Sequence, residues 1–204
     1  MSESPLPTVS LPTRLQRRLI AFYNLAALPP VDAFVSARED VERERLLVRH
    51  SDDGLELTLE LPAHAVDPTG PVGLDLMCQV LEGVSHFVLV THRATTEGAT
   101  SQLELELQAE VDKFVVLTLL GEEPPTPRWR TAVKERLYER VSYQHPAGTE
   151  PGDRYRAANR LAIRLVNRLE HRYLAQARVQ DARDALRTFY RLGPGEKLAY
   201  AEAA

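Results

Sequence analysis

The sequence predicts a mainly α-helical protein of the α+β class, a helical bundle-like domain with one β-hairpin near residues 45–61. Several segments carry apolar residues at helical spacing, and residues 55–61 alternate leucine with polar residues. The 204 residues, 44% hydrophobic and 26% charged, are typical of a globular chain long enough to bury a core.

The N-terminal third begins with a proline-containing segment, residues 1–12, which we expect to be a disordered tail. Apolar residues at helical spacing predict a helix over residues 13–27, and Pro29-Pro30 ends it. A second short helix is expected over residues 32–43.

Two strand-like segments follow, residues 45–50 and 55–61, separated by Ser51-Asp52-Asp53-Gly54. Asp-Gly is a strong turn signal, so the pair is predicted to form a β-hairpin. One face of its second strand consists of leucine, and neighbouring helices are expected to cover that face.

Two apolar segments, residues 74–93 and 102–120, are predicted to form a buried antiparallel helical hairpin with a turn at residues 94–101. Strands are the competing interpretation, because residues 86–90 and 114–118 are rich in β-branched side chains. Length and the helix-favouring flanking residues favour helices, although periodicity alone leaves residues 86–120 open.

The C-terminal part begins after a proline-rich boundary at residues 121–127. Thr126 is expected to cap a helix over residues 128–143 with Pro127 as its first residue. Asp153 is then expected to cap a long helix to residue 177, continued or kinked into residues 180–191. Gly193-Pro194-Gly195 separates this helix from a short terminal one.

The net charge of −4 is divided unevenly. Residues 128–204 hold 16 Lys and Arg against nine Asp and Glu, a net of +7, which leaves −11 to residues 1–127. We expect an acidic part at residues 13–127 and a basic helical part at residues 128–204, packed together as one domain. The acidic part could itself neutralise the basic part, or the basic part could face a partner.

The most informative feature is an arginine at every fourth residue of the predicted long helix. We call this set the arginine face; it consists of Arg156, Arg160, Arg164, Arg168 and Arg172. The spacing places the five guanidinium groups on one side of a helix, opposite the apolar residues from Tyr155 to Tyr173. Guanidinium groups suit carboxylate and phosphate partners.

Three functions follow as hypotheses. The first is a non-catalytic interaction protein that engages an acidic protein surface, or a second copy of itself, through the arginine face. The second is nucleic-acid binding through the same face, although no helix-turn-helix, RNA-recognition or zinc-finger signature is present. Solvation or pairing within the chain is the alternative that would leave no binding site.

The third hypothesis is a metal-dependent enzyme with a carboxylate and histidine site between the two apolar helices. Glu82 and His86 share a face of the first helix, and Glu106 and Glu110 share a face of the second. Antiparallel pairing is expected to bring His86 close to Glu110, and Glu104 and Glu106 near His92 and Arg93. A structural charge network is the competing interpretation, since buried charges require partners.

Other classes of function lack their motifs. The sequence contains no phosphate-binding Gly-x-x-x-x-Gly-Lys, no Gly-x-Gly-x-x-Gly and no Gly-x-Ser-x-Gly, so no cofactor is predicted. The single cysteine, Cys78, is expected to be a buried and inert thiol in a cytoplasmic protein. Uninterrupted apolar stretches such as residues 114–120 are too short to predict a membrane span.

Overall fold

The computed structural model describes residues 9–51, 54–66, 68, 70–96, 98–121 and 126–203. Within these ranges the helices are α1 (Leu11–Tyr23), α2 (Ala63–Val66), α3 (Leu74–Thr95), α4 (Gln102–Thr118), α5 (Pro127–Lys134), α6 (Glu150–Arg172), α7 (Val179–Arg191) and α8 (Pro194–Glu202). The strands are β1 (Val35–Arg38), β2 (Arg45–Ser51) and β3 (Gly54–Pro62). The predicted fold class, mainly α with a small β component, is therefore confirmed.

The predicted hairpin is present. Strands β2 and β3 pair antiparallel, with Arg45 opposite Glu60 and Ser51 opposite Gly54. Asp52 and Asp53 of the predicted turn lie outside the described residues. The alternation of β3 sends Leu59 and Leu61 into the core, where neither is exposed.

The prediction of a helix over residues 32–43 is wrong. A 3₁₀ turn at Val31–Ala33 leads into β1, which pairs parallel to β3 with Val35 opposite Leu59. The Leu59 amide donates to the Phe34 carbonyl at 2.8 Å. Pairing with β3 therefore overrides local helical preference, as is common for strand edges. The result is a three-stranded sheet in the order β1-β3-β2.

The first helix begins two residues earlier than expected, at Leu11, inside the segment predicted as a disordered tail. The Ser10 hydroxyl accepts from the Thr13 amide at 3.2 Å and caps the helix. Residues 1–8 lie outside the described residues.

The two apolar segments are helices α3 and α4, so the helical interpretation is confirmed and the strand interpretation is wrong. Ser101 caps α4 by accepting from the Glu104 amide at 3.1 Å. Helix α3 also covers the sheet, and Gly83 permits the close approach. A Cβ atom there would lie 2.8 Å from the Leu59 Cδ1 atom.

Helix α3 has the length and the apolar composition that a membrane span requires. Uninterrupted apolar stretches in the sequence did not predict such a span. The described structure nevertheless buries 61% of its most apolar window inside the protein. Such burial is typical of the core helix of a soluble protein.

The C-terminal helices differ from their predicted boundaries. Thr126 caps α5 as expected, accepting from the Trp129 amide at 3.2 Å, but a π-helical turn at Glu135–Glu139 follows α5 instead of continued α-helix. The wider turn buries Leu137 and Tyr138, and the Tyr138 hydroxyl donates to the Glu110 carbonyl at 2.9 Å.

Thr149, and not Asp153, caps α6, accepting from the Gly152 amide at 3.2 Å. The predicted continuation of α6 to residue 177 is also wrong. The helix ends at Arg172, a 3₁₀ turn follows at Leu174–Gln176, and Ala177 adopts a left-handed conformation with φ of 57° before α7. The short terminal helix is confirmed, but it includes Pro194 and Gly195 of the predicted break, and Leu192 and Gly193 separate it from α7.

A fully buried polar network joins α1, α3, α4 and α8. Lys197 Nζ lies 2.9 Å from Glu104 Oε1 and donates to Gln108 Oε1 at 3.1 Å, while Arg93 reaches the same Glu104 oxygen at 2.8 Å. Asp112 accepts hydrogen bonds from the side chains of Tyr23, Ser85 and Gln108 at 2.5, 2.6 and 2.8 Å. Because Lys197 and Glu104 are both completely enclosed, each depends on the other for charge compensation.

Removing one partner of this pair is expected to destabilise the protein. Lys197→Met leaves Glu104 with Arg93 alone, and we expect the free energy of unfolding to fall by about 3 kcal/mol. Urea denaturation followed by circular dichroism measures the change. The matched control, Lys134→Met, alters a half-buried lysine that donates to Asn167 Oδ1 at 3.3 Å and should stay within about 0.5 kcal/mol of wild type.

Candidate functional site

Helix α6 presents the arginine face as its spacing predicts. The opposite side of the helix packs into the core through five side chains that are at most 2% exposed, namely Ala158, Ala162, Leu165, Val166 and Leu169. The five arginines therefore share the outer side, and α4 and α8 pack along the inner side.

Two members of the arginine face are held by neighbouring segments. Arg156 donates to the carbonyls of His145 and Gly152 at 3.0 and 2.8 Å, and its guanidinium lies 4.3 Å from the centre of the Tyr143 ring. Arg168 donates to the Tyr200 carbonyl at 2.6 Å and lies 4.4 Å from the centre of the Tyr200 ring. These contacts fix the two guanidinium groups without neutralising them.

The other three members, Arg160, Arg164 and Arg172, are exposed. Among the described residues, Glu202 forms an ion pair with Arg164 at 3.7 Å, and both side chains are more than half exposed. Such a pair contributes little in water. The carboxylates of the described chain therefore leave the arginine face uncovered.

The C-terminal half of the arginine face borders an open groove of about 520 Å³. The groove is lined by Arg164, Asn167, Arg168, His171, Arg172 and Gln176. Three guanidinium groups and two side-chain amides thus converge on one concave surface, which suits a carboxylate or phosphate group.

The second set of arginines at this spacing, Arg183, Arg187 and Arg191 of α7, has a structural role. Arg183 donates to the Leu119 carbonyl at 2.7 Å, and Arg187 donates to the Phe22 carbonyl at 2.7 Å. Arg191 reaches the Tyr23 carbonyl at 3.4 Å. These acceptors lie at the C-terminal ends of α1 and α4, where helical carbonyls lack partners.

The acidic part of the chain turns several of its carboxylates inward, toward partners outside the arginine face. Lys113 Nζ lies 2.7 Å from Glu82 Oε2 and 2.8 Å from Glu110 Oε1. Glu106 lies 3.7 Å from His86 Nε2 and 3.5 Å from Arg154 Nε. We call Glu82, His86, Glu106, Glu110 and Lys113 the carboxylate cluster.

The cluster differs in register from the sequence prediction. The expected contact of Arg93 with Glu104 is present at 2.8 Å, but His86 pairs with Glu106, where Glu110 was predicted. Arg154, at the start of α6, holds Glu106 from the other side. Sequence reasoning missed Arg154 because it lies outside the four-residue spacing of the arginine face.

A metal site is not supported by this geometry. The described residues contain no group of three or more His, Cys, Asp or Glu side chains arranged to hold a metal ion. Between Glu82 and Glu110, the ammonium of Lys113 already supplies the positive charge that a cation would bring. Cys78 is a free thiol whose pKa burial raises to about 11, so it is protonated and a poor nucleophile at neutral pH.

Burial dominates the protonation of the carboxylate cluster. Desolvation, with the charge of Glu82 as the next cause, raises the pKa of Glu106 to about 8. Desolvation also raises the pKa of Glu110 and lowers the pKa of His86. Lys113 lowers the pKa of Glu82 despite its burial. At neutral pH the cluster therefore holds Glu106 protonated and His86 neutral.

No family model, no curated protein and no solved structure matches this chain. Its function has to be argued from its own residues.

The raised pKa of Glu106 predicts a pH-dependent stability. A carboxyl whose pKa is higher in the folded state contributes stability below its unfolded pKa of about 4.5, and this contribution is lost as the pH rises through 8. We expect Glu106 to lower the free energy of unfolding by about 2 kcal/mol between pH 6.5 and 8.

Urea denaturation of wild type and Glu106→Gln at both pH values measures this contribution. The variant should lose less stability over the window than wild type does. The control, Glu139→Gln, changes an exposed carboxyl and should keep the full decline. Identical pH profiles for Glu106→Gln and wild type would contradict the assignment.

Proposed function

We propose that this protein is a non-catalytic helical interaction protein whose arginine face engages an acidic protein surface, on another protein or on a second copy of this chain. The observation that supports the proposal is the exposure of Arg160, Arg164 and Arg172. Among the described carboxylates, Glu202 approaches this set, at 3.7 Å from Arg164. Cations arranged in this way increase the rate and the specificity of association with an acidic surface.

The preorganised members strengthen the argument. Arg156 and Arg168 are held by backbone carbonyls and tyrosine rings, so they lose little conformational freedom when a carboxylate binds. The groove at Arg164, Arg168 and Arg172 offers forked donors to a glutamate or aspartate side chain.

Nucleic-acid binding remains the second candidate, and one observation weighs against it. Single-stranded binders stack bases on open aromatic faces. Here guanidinium groups cover the rings of Tyr143, Tyr173 and Tyr200 that border the arginine face. An acidic protein needs no such stacking surface, so it is the preferred partner.

The proposal also includes a cytoplasmic location. The free thiol of Cys78 suits a reducing compartment. The bundle with its packed acidic and basic parts is proposed to act as one domain.

Binding of labelled poly-L-glutamate tests the first function, with fluorescence anisotropy as the measurement at low and high ionic strength. We expect binding that weakens with added salt, and a loss of about tenfold or more in affinity in the variant Arg160→Glu/Arg164→Glu/Arg172→Glu. The control Arg14→Glu/Arg17→Glu/Arg18→Glu makes the same charge change on exposed positions of α1 and should retain most of the affinity.

Two further measurements separate the alternatives. Sedimentation velocity at low and high salt detects self-association, which the α6 variant should abolish if a second copy is the partner. A random-sequence oligonucleotide that binds more tightly than poly-L-glutamate would favour nucleic acid instead. Absence of binding to both polyanions, together with a monomer at low salt, would overturn the proposal.

A further inference from the structure

A second concave site shares no lining residue with the groove at the arginine face. A cavity of about 670 Å³ is lined by the connection between β1 and β2, by α3 and α4, by the π-helical turn with the residues after it, and by the start of α6. Its volume is within the range of small-molecule sites, which commonly lie where several elements meet. π-Helical turns such as Glu135–Glu139 occur frequently at functional sites.

The floor of the cavity carries more carboxyl groups than cations. Among the described residues that line it, Glu82 and Glu110 both pair with Lys113. Glu44 lines the same cavity, and its enclosed Oε2 atom has no hydrogen-bond partner. Three carboxyl groups thus share one ammonium group, and a positive group beside Glu44 is missing.

The rim does not supply that positive group. Arg45 pairs with Glu60 at 2.7 Å, Arg140 pairs with Glu135 at 3.1 Å, and Arg136 pairs with Asp75. Arg43 is exposed to solvent. Three of the four guanidinium groups around the cavity are thus engaged with carboxylates outside the floor.

Specific contacts hold Glu44 in this position. The Gln79 side chain donates to the Glu42 carbonyl at 2.7 Å and fixes the connection to α3. Gly83 allows the connection to approach the helix closely, because a Cβ atom there would lie 3.2 Å from the Glu44 Cβ atom. Packing thus keeps a carboxyl beside Glu82 despite the cost of burying it.

The remaining lining combines polar side chains with apolar and aromatic ones, which are Leu74, Cys78, Leu137, Val141, Tyr143 and Tyr155. Its aliphatic side chains take an apolar body, while guanidinium groups already lie over the rings of Tyr143 and Tyr155. We propose that this cavity binds a small organic amine with an apolar body, whose ammonium group pairs with Glu44 beside Glu82. A metal ion fits less well, since the described residues contain no group arranged to hold one.

Binding is coupled to a proton. Desolvation and then the charge of Glu82 raise the pKa of Glu44 to about 8, while Arg43 and Lys113 of α4 lower it. Tyr155 of α6 interacts electrostatically with the same carboxyl. Glu44 is therefore protonated at pH 7. The ammonium requires the carboxylate, so one proton passes from Glu44 to the solvent for each amine bound, and affinity rises with pH up to about 8.

Isothermal titration calorimetry with 2-phenylethylamine tests the proposal at pH 7 in two buffers of different ionisation enthalpy. We expect a Kd of about 1 mM or tighter and the release of about one proton to the buffer. The matched ligands 2-phenylethanol and 3-phenylpropionate keep the apolar body without the ammonium and should not bind measurably. Equal binding of the alcohol, no proton release, or no binding of the amine would each overturn the proposal.

Variants locate the binding site. Glu44→Gln should weaken amine binding about tenfold and abolish proton release, because a neutral amide replaces the carboxyl. Glu42→Gln is the control. The Glu42 side chain is exposed two residues from Glu44, and its backbone carbonyl accepts from Gln79, so this variant should bind the amine as wild type does. Circular dichroism and the fluorescence of Trp129, the one tryptophan of the chain, establish that both variants fold.

Unchanged affinity and unchanged proton release in a folded Glu44→Gln would place the amine elsewhere and overturn the assignment. The arginine variants of α6 should bind 2-phenylethylamine normally. Failure of the amine site therefore leaves the proposed function of the arginine face untouched.

Discussion

The burial of acidic side chains on α4 is the constraint on which the other packing depends. Helix α4 lies in the middle of the molecule, and its carboxylates cannot be enclosed without partners. Most of those partners come from other elements: Lys197 from α8, Arg93 from α3, Arg154 from α6 and Tyr23 from α1. Each pair fixes the position of one neighbour against α4, so one helix sets the arrangement of the bundle.

The same constraint explains the charge of the surface. The acidic part of the chain places Glu104, Glu106 and Asp112 in the interior, where Glu104 pairs with Lys197, Glu106 is held protonated near Arg154, and Asp112 accepts from Tyr23, Ser85 and Gln108. Those carboxyl groups are not available to neutralise basic groups on the outside. The arginine face on α6 is left with backbone carbonyls, tyrosine rings and one distant glutamate, and an anionic partner would find its guanidinium groups accessible.

Sequence reasoning predicted the elements with strong local signals. A few adjacent residues specify each of these features: the Asp-Gly hairpin, the two apolar helices, the Thr126 cap and the arginine spacing. It failed where contacts between distant segments determine the local structure. Within residues 32–43, β1 forms because it pairs with the edge of β3. Helix α5 is followed by a π-helical turn that buries Tyr138. It also missed Glu44, because an acidic residue between two arginines is expected to be exposed to solvent. In the structure, packing against Gly83 encloses Glu44.

The sequence by itself determined which side chains share a face of each helix, because residue spacing and helical geometry suffice for that. It therefore placed the five arginines opposite the apolar side of α6 and put Glu82 with His86, and Glu106 with Glu110. Only the tertiary structure decided which faces meet and which charges remain outside. Rotation and register between helices depend on contacts from all neighbours at once, and a shift of one helix by about one turn along its axis exchanges proximity of His86 to Glu110 for proximity to Glu106.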